Sequence, residues 1–209
     1  MPWSLSFIDM QRLAQPRHMA YARAHKFDLW SIYGDIHPEY KPGAWSKIWL
    51  IIDALKAKYE YVVWIDSDAA IMDFEADLRN ALPADKYIGA VLHTPDKSAY
   101  LKLHQVPPHM NVGVMYIRNS SRVRMFFDEW LAAWPTDIRF IEQAVFNELT
   151  ASPKYRDLVH CVDDAYNATV NVNMVKKPIV KGYHGVMPPE KRLDLMKIDL
   201  ADDFMKFRV

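Results

Sequence analysis

The sequence predicts an α/β domain with a mostly parallel central sheet flanked by helices. Three observations predict it. Apolar runs of strand length alternate along the chain with stretches of helical period. One run, "YEYVVWID" at residues 59–66, is nearly continuous in its hydrophobicity, as a strand covered on both faces should be. It ends in two carboxylates, Asp66 and Asp68, and open α/β sheets place their ligands at the carboxyl ends of strands.

The elements follow in order. "SLSFID" (4–9) reads as a first short strand. The stretch 10–26 reads as a helix, with Pro16 near an early turn and His25 and Lys26 at its end, where cations suit the helix dipole. "FDLWSIYG" (27–34) reads as a second strand closed by Gly34, and 37–43 as a loop. Residues 44–58 form an amphipathic helix, with Trp45, Ile48, Ile51, Ile52 and Leu55 on its apolar face. The third strand is the run at 59–66. A short helix is expected at 75–82, then the strand "YIGAVL" (87–92). Residues 93–110 carry three prolines and three histidines with no clear period, the mark of a long functional loop. "NVGVMYIRN" (111–119) is the next strand. Helices are expected at 121–134 and 137–149, separated by Pro135, and "DLVHCVD" (157–163) reads as a late strand. From about Asn167 short strands mix with "KGYHGVMPPEKR". Repeats, low-complexity tracts and linkers are absent, so the expectation is one domain over 1–209, with a nucleotide-binding part at about 1–92 and a donor and acceptor part at about 93–209.

Composition narrows the function. Lys plus Arg and Asp plus Glu number 26 each, so no global field recruits nucleic acid or an anionic membrane. The single cysteine, Cys161, excludes an internal disulfide and a cysteine-based zinc site, and fits a reducing compartment. No basic stretch leads into an apolar core at the N-terminus, and no apolar run approaches the ~18–20 residues that span a bilayer. The expectation is a cytoplasmic protein with no membrane span.

A buried carboxylate costs several kcal/mol unless something pairs with it. Asp66 and Asp68, one residue apart at a turn, can face one crevice, where water or a cation satisfies them. Mg²⁺ and Mn²⁺ favour carboxylate oxygens and also take phosphate oxygens. A pair of solvated turn aspartates is the plainer reading. The apolar residues before the pair and the return to "AAIM" after it weigh against a simple surface turn.

"WIDSDAAIM" resembles the metal-binding DxD segment of GT-A (Rossmann-like) glycosyltransferases, which move a sugar from a nucleotide diphosphate. Other segments match in the same order. "HMAYARAHKFDLW" is similar to the helix–strand segment of the galactosyl/mannosyltransferase group that includes xyloglucan xylosyltransferases. "AWSKIWLIIDAL" resembles the helix before the DxD strand, "NVGVMYIRNS" the strand that contacts the donor sugar, "EQAVFNEL" the helix whose acid–Gln pair lies beside the anomeric carbon, and "GYHGV" the late His segment. The likeness runs over about 7–190. Such a compact chain also resembles the N-terminal domain of a large algal-virus (chlorovirus) glycosyltransferase.

The resemblance implies roles. Asp66 and Asp68 bind the metal, Mn²⁺ or Mg²⁺, with Asp66 reaching either the metal or the ribose, and His184 is the late ligand. Lys47 steadies the diphosphate or sugar, helped by Lys181 and Lys191. Asn111 and Gly113 line the donor pocket, Gly185 lets the backbone approach the diphosphate, and Glu142 and Gln143 lie under the sugar ring. The family usually has Asp where this chain has Glu142, which carries the carboxylate one methylene further. The implied activity is metal-dependent transfer from a UDP-sugar to a glycan or glycoprotein acceptor, with retention of anomeric configuration.

Plainer readings stand beside these. His184 is also an ordinary hydrogen-bonded histidine, Lys47 a helix-surface lysine and Glu142 a solvated acid. His93, His104 and His109 suit no single metal geometry and read as surface or acceptor-side residues. Trp45, Trp49, Trp130 and Trp134 fall at helical spacings and read as core. Trp30 and Tyr33 are candidates for base stacking, and Asp9 ends the first expected strand. Two rivals remain: a phosphatase of the haloacid dehalogenase type, which also carries an apolar strand ending in DxD, and a non-catalytic nucleotide-sugar-binding module.

Overall fold

The computed structural model describes residues 5–37, 39–134 and 141–201. Helix α1 (Leu5–His25) takes in most of the segment expected as a first strand, and Ser4 lies outside the described residues. The reason is periodicity. Met10, Ala14, Arg17 and Tyr21 recur at helical spacing and are all buried, so the longer pattern overrides the short alternation of "SLSFID". Pro16 therefore sits well inside the helix rather than near its start. Asp9 lies on this helix in an exposed pair with Arg12, not at a strand end.

The segment 27–34, expected as a second strand, runs irregularly, with Leu29, Trp30, Ile32 and Tyr33 each 40–48% exposed. Side chains tie it down in place of a backbone ladder: the Tyr59 hydroxyl donates to Asp28, and Trp30 meets the Tyr59 ring edge-on. Helix α2 (Ser46–Lys56) follows a 3₁₀ turn at Gly43–Trp45 and buries Ile48, Ile51, Ile52 and Leu55.

Strands β1 (Tyr61–Ile65), β2 (Ala69–Ile71) and β3 (Ile88–His93) come next, with a 3₁₀ turn at Leu78–Ala81 where a short helix was expected. The long loop holds a one-turn helix, α3 (Ala99–Leu103), whose Ser98 cap accepts from the Leu101 amide. Strand β4 (His109–Arg118), helix α4 (Ser121–Ala132), helix α5 (Glu142–Ala151) and strand β5 (Val159–Val162) match their expected places. Pro135 and residues 137–140 of the expected second helix lie outside the described residues. Short strands β6 (Ala168–Thr169) and β7 (Val180–Gly182) precede helix α6 (Pro189–Leu200). That last helix was unforeseen, although proline suits a first helical position and Met196 and Leu200 are buried one turn apart.

The α/β class holds, with a central sheet flanked by helices, but the strand directions differ from the expectation. In the order β1-β4-β3-β5, β4 is antiparallel to both neighbours and β5 is parallel to β3. In the smaller sheet, β2-β7-β6, β7 is antiparallel to β2 and parallel to β6. An apolar run reports that a strand is covered on both faces, not which way it points. The loop after β3 turns the chain straight back, whereas two helices precede β5 and return it in the same sense.

Strand β4 joins two of the three cores among the described residues. Val112, Met115 and Ile117 pack with α2, α4 and α5 through Ile48, Phe126, Trp130 and Phe146. Val114 and Tyr116 pack on the other face with Tyr21, Leu82, Val91 and Val162. Gly89 opposes Tyr116 and Val91 opposes Asn111, so two steps along β3 match five along β4. This bulge, at 112–115, frees the backbone around Gly113 from pairing with β3, while β1 stays paired with Val114 and Met115. Bulges of this kind re-aim side chains beside functional sites.

Candidate active site

Asp66 is the first residue beyond β1, and its amide donates to the Gly113 carbonyl at 2.8 Å. Trp64, two residues earlier and so on the same face of the strand, donates from Nε1 to Asp66 Oδ1 at 2.6 Å. On the first turn of α2, the Lys47 ammonium lies 3.1 Å from both Asp66 oxygens and 3.1 Å from Glu142 Oε1. Lys47 and Glu142 are 6% and 7% exposed, so one buried ammonium bridges two carboxylates. Lys47 is thus no surface lysine and Glu142 no solvated acid. Burial disfavours the charge on Lys47, but Asp66 and Glu142 more than offset it and hold the ammonium above its ordinary pKa. Burial raises the Glu142 carboxyl. Lys47 pulls it back in part, because that lysine is shared, and Asp66 pushes it up again.

Gln143, next on α5, accepts the Val112 amide at its Oε1, and Asn147 one turn later accepts the Met110 amide. The helix thereby pins the bulged part of β4. Asn111 Oδ1 accepts from the Gly113 amide and from Asn167 Nδ2, both at 2.9 Å. Gly113 stands where these groups converge. A Cβ there would lie 3.0 Å from Asn111 Oδ1, 3.3 Å from Asp66 Oδ2 and 3.4 Å from the His184 ring.

His184 enters from the loop after β7. Its Nε2 lies 2.9 Å from Thr169 Oγ1, which also lies 3.2 Å from His93 Nε2. Its Nδ1 is buried with no hydrogen-bond partner. Burial lowers the His184 pKa to about 4, against a smaller upward pull from Asp66, so the ring is neutral at physiological pH. A neutral imidazole with an unclaimed buried nitrogen, its Cε1 and the Asp66 Oδ2 both beside Gly113, suits a divalent cation. Asp66 and His184 fit that role. Asp68 is turned elsewhere: its Oδ2 accepts from Arg192 Nη1 at 2.8 Å. Among the described residues no group of three or more His, Cys, Asp or Glu side chains is gathered for a metal.

The remaining expected residues fall as follows. Gly185 is required by a close approach, but to protein: a Cβ would lie 2.6 Å from the Val170 carbonyl. Lys191 is exposed at the start of α6, and Lys181 pairs with Asp199 at 2.6 Å. Trp30 touches Tyr59, just before β1 begins, so it lies at the end of that strand remote from Asp66. His93 corrects the surface reading. It is 2% exposed and stacks at 5.9 Å on His184, while His109 meets its edge at 5.5 Å. His104 is exposed against Tyr100. Trp45 and Trp130 are core, whereas Trp134 is 63% exposed and shares the Lys41 ammonium with Trp45.

Sequence reasoning missed Arg192, Thr169, Asn167 and Trp64. Trp64 alone had a signal, its spacing of two from Asp66 along a strand. The others reach the site from distant segments.

The architecture is that of a GT-A-like α/β domain. The same fold is seen in a glycosyltransferase involved in the glycosylation of the major capsid of PBCV-1, with a TM-score of 0.59 at 15% identity over 94% of this chain and 95% of that one. The chain belongs to the galactosyl transferase GMA12/MNN10 family, which matches residues 10–201. Galactomannan galactosyltransferase 1 of Cyamopsis tetragonoloba is 31% identical over 119 residues, 55% of this chain and 26% of that protein. The chain thus spans about a quarter of that relative's length. A looser likeness, TM-score 0.44 at 14% identity over 86% and 75% of the two chains, is to mouse xyloside xylosyltransferase 1. Family membership replaces the phosphatase alternative. Among the described residues no helix is long and apolar enough to cross a membrane.

Proposed function

We propose that the chain transfers a sugar from a nucleotide-diphosphate donor, UDP-linked, to a glycan or glycoprotein acceptor, with retention of anomeric configuration. In this reading Asp66, Asp68 and His184 hold Mn²⁺ or Mg²⁺. The observation that carries it is the buried Asp66–Lys47–Glu142 bridge, whose Asp66 Oδ2 shares the space at Gly113 with the ring of His184, a histidine with an unpartnered Nδ1.

Each residue has a physical task. Lys47 and Trp64 hold Asp66 in one orientation, so its second oxygen faces the pocket without reorganisation at the moment of reaction. Thr169 orients His184 through Nε2, leaving Nδ1 unclaimed. The cation, when bound, would stabilise negative charge building on the departing diphosphate. Glu142 places negative charge near a sugar ring that becomes positive as the glycosidic bond breaks. Gln143 holds the β4 bulge behind that ring. Asn111 and Gly113 shape the donor pocket, Gly185 allows the His184 loop to close on Val170, and Lys191 is assigned to the diphosphate from the pocket's edge.

The test is a donor panel. The chain is incubated with Mn²⁺ and UDP-glucose, UDP-galactose, UDP-xylose or GDP-mannose, and free nucleotide is measured for wild type, Asp66→Asn and Glu142→Gln. Metal-dependent release from a UDP-sugar, lost in both variants, is the expected result. Binding of UDP without release from any donor would leave the binding-module reading standing. No binding of any nucleotide would overturn the proposal.

A further inference from the structure

Arg192 has no part in the chemistry above, yet the fold delivers it to the second aspartate from 124 residues away. The pair is sheltered, with side chains 11% and 5% exposed. Every nitrogen of the guanidinium is engaged. Nη1 donates to Asp68 Oδ2, Nε to the Val186 carbonyl at 2.6 Å and Nη2 to Met187 Sδ at 3.0 Å, while the group lies 5.9 Å from the Phe7 ring centroid. The arginine therefore ties α6, the His184 loop, α1 and the turn after β1 together at one point. Asp68 has its main chain fixed as well, because its carbonyl accepts the Tyr183 amide at 2.9 Å.

We propose that Arg192 is a resident counter-cation of Asp68 which a divalent metal must displace. The inference rests on the assignment of metal to Asp66, Asp68 and His184 made above. The side chain of Asp68 is turned toward α6 and does not gather with Asp66 and His184 into a ligand group. Bringing it round to them breaks the ion pair. A metal also sits at about 2.1 Å from its ligand oxygen, so a guanidinium on the same small carboxylate would face a strong like-charge repulsion in a buried setting. Ligand-free, the arginine supplies the positive charge that a buried Asp68 requires. With metal bound, the arginine is released beside the donor pocket. The pair thus sets how readily this site takes metal.

The experiment follows free Mn²⁺ by electron paramagnetic resonance, without nucleotide, in wild type, Arg192→Gln and Asp68→Asn. Displacement predicts that Arg192→Gln binds Mn²⁺ at least about tenfold more tightly than wild type, since the competitor is gone, and that Asp68→Asn binds no more tightly than wild type. Equal or weaker binding in Arg192→Gln would overturn the inference, because the arginine would then be a bystander or a support for Asp68, and the metal assignment would survive. No Mn²⁺ binding by any of the three, with or without UDP, would defeat the metal assignment and this inference together. Should Arg192→Gln fail to fold, wild type answers the same question by hydrogen exchange at Arg192 Nε. Saturating Mg²⁺ should accelerate it, and an unchanged rate would overturn the inference.

Discussion

At the scale of single residues, Gly113 shows why the site needs this particular backbone. Its missing side chain leaves the space that Asp66, Asn111 and His184 share. Gly113→Ala places a methyl at 3.0–3.4 Å from all three, close enough to crowd a ligand and not enough to unfold the chain. Donor turnover should fall at least about 100-fold, near 2.7 kcal/mol, with the melting temperature within a few degrees of wild type. Lys47 makes the opposite case. Lys47→Met leaves Asp66 and Glu142 facing each other without their ammonium, and losing one partner of a buried pair costs about 3–5 kcal/mol. Urea unfolding should read that loss. Asp66, Asp68, Lys47, Glu142 and His184 could be picked out in the sequence because each sits in a recognisable local pattern. Arg192 could not, since its role depends on where α6 lands and nothing around it in the chain says so.

At the scale of elements, legibility followed burial. Strand β4 and helices α2 and α4 carry strong periodic patterns and formed as expected. Segment 27–34 carries a strand-like composition yet has no ladder, because a strand is stabilised by its pairing neighbours and not by its own residues. Helix α1 took "SLSFID" because four buried positions at helical spacing outweigh a short alternation. Helix α4 links stability to the site. Trp130 is fully buried among Phe126, Phe127 and Phe146, and its Nε1 donates to the Glu142 carbonyl at the start of α5. Trp130→Ala should cost about 3–5 kcal/mol and also loosen Glu142. Trp130→Phe should retain most of the packing while still losing the hydrogen bond. Measuring unfolding and donor turnover in both variants separates the two contributions.

At the scale of the whole molecule, β4 contributes Met115 and Ile117 to one core and Val114 and Tyr116 to a second. Neither of these cores can open without stripping a face of that strand. The third, built on Met10, Ala14, Ala70, Tyr183, Met196 and Leu200, shares α1 and β2 with the second. Thermal unfolding should therefore be one cooperative transition, with far-UV circular dichroism and tryptophan fluorescence coincident. Two separated transitions would divide the chain into independent units. Acid sensitivity follows from the buried histidines His18, His93 and His184, and His18 lies outside the site. Its Nε2 is shut away from water without a partner, and burial, helped by Arg17, lowers its pKa from 6.5 to about 4. The unfolded chain takes up this proton below about pH 6.5 and the folded chain refuses it until about pH 4, so folded stability falls as the pH drops through that window. By pH 5.5 the folded chain has already lost stability through this residue. His18→Gln should make the slope of unfolding free energy between pH 7 and 5.5, before most carboxylates titrate, shallower than in wild type, leaving the part that buried His93 and His184 supply.

The amino-acid sequence by itself determined that β1 would be a strand, that it would end in acids, and that α2 would precede it and β3, β4 and α4 follow it; β1 is partly buried, at the edge of its sheet. Those features are written in spacings of two to seven residues, a range over which the backbone alone fixes which side chains share a face. Tertiary structure decided the strand directions, the bulge that opens β4 at Gly113, and the partner of Asp68. These depend on segments distant in the chain meeting in space, and the pairing of Asp68 with Arg192, 124 residues apart, is settled by the packing of α6 on α1, not by any pattern near either residue.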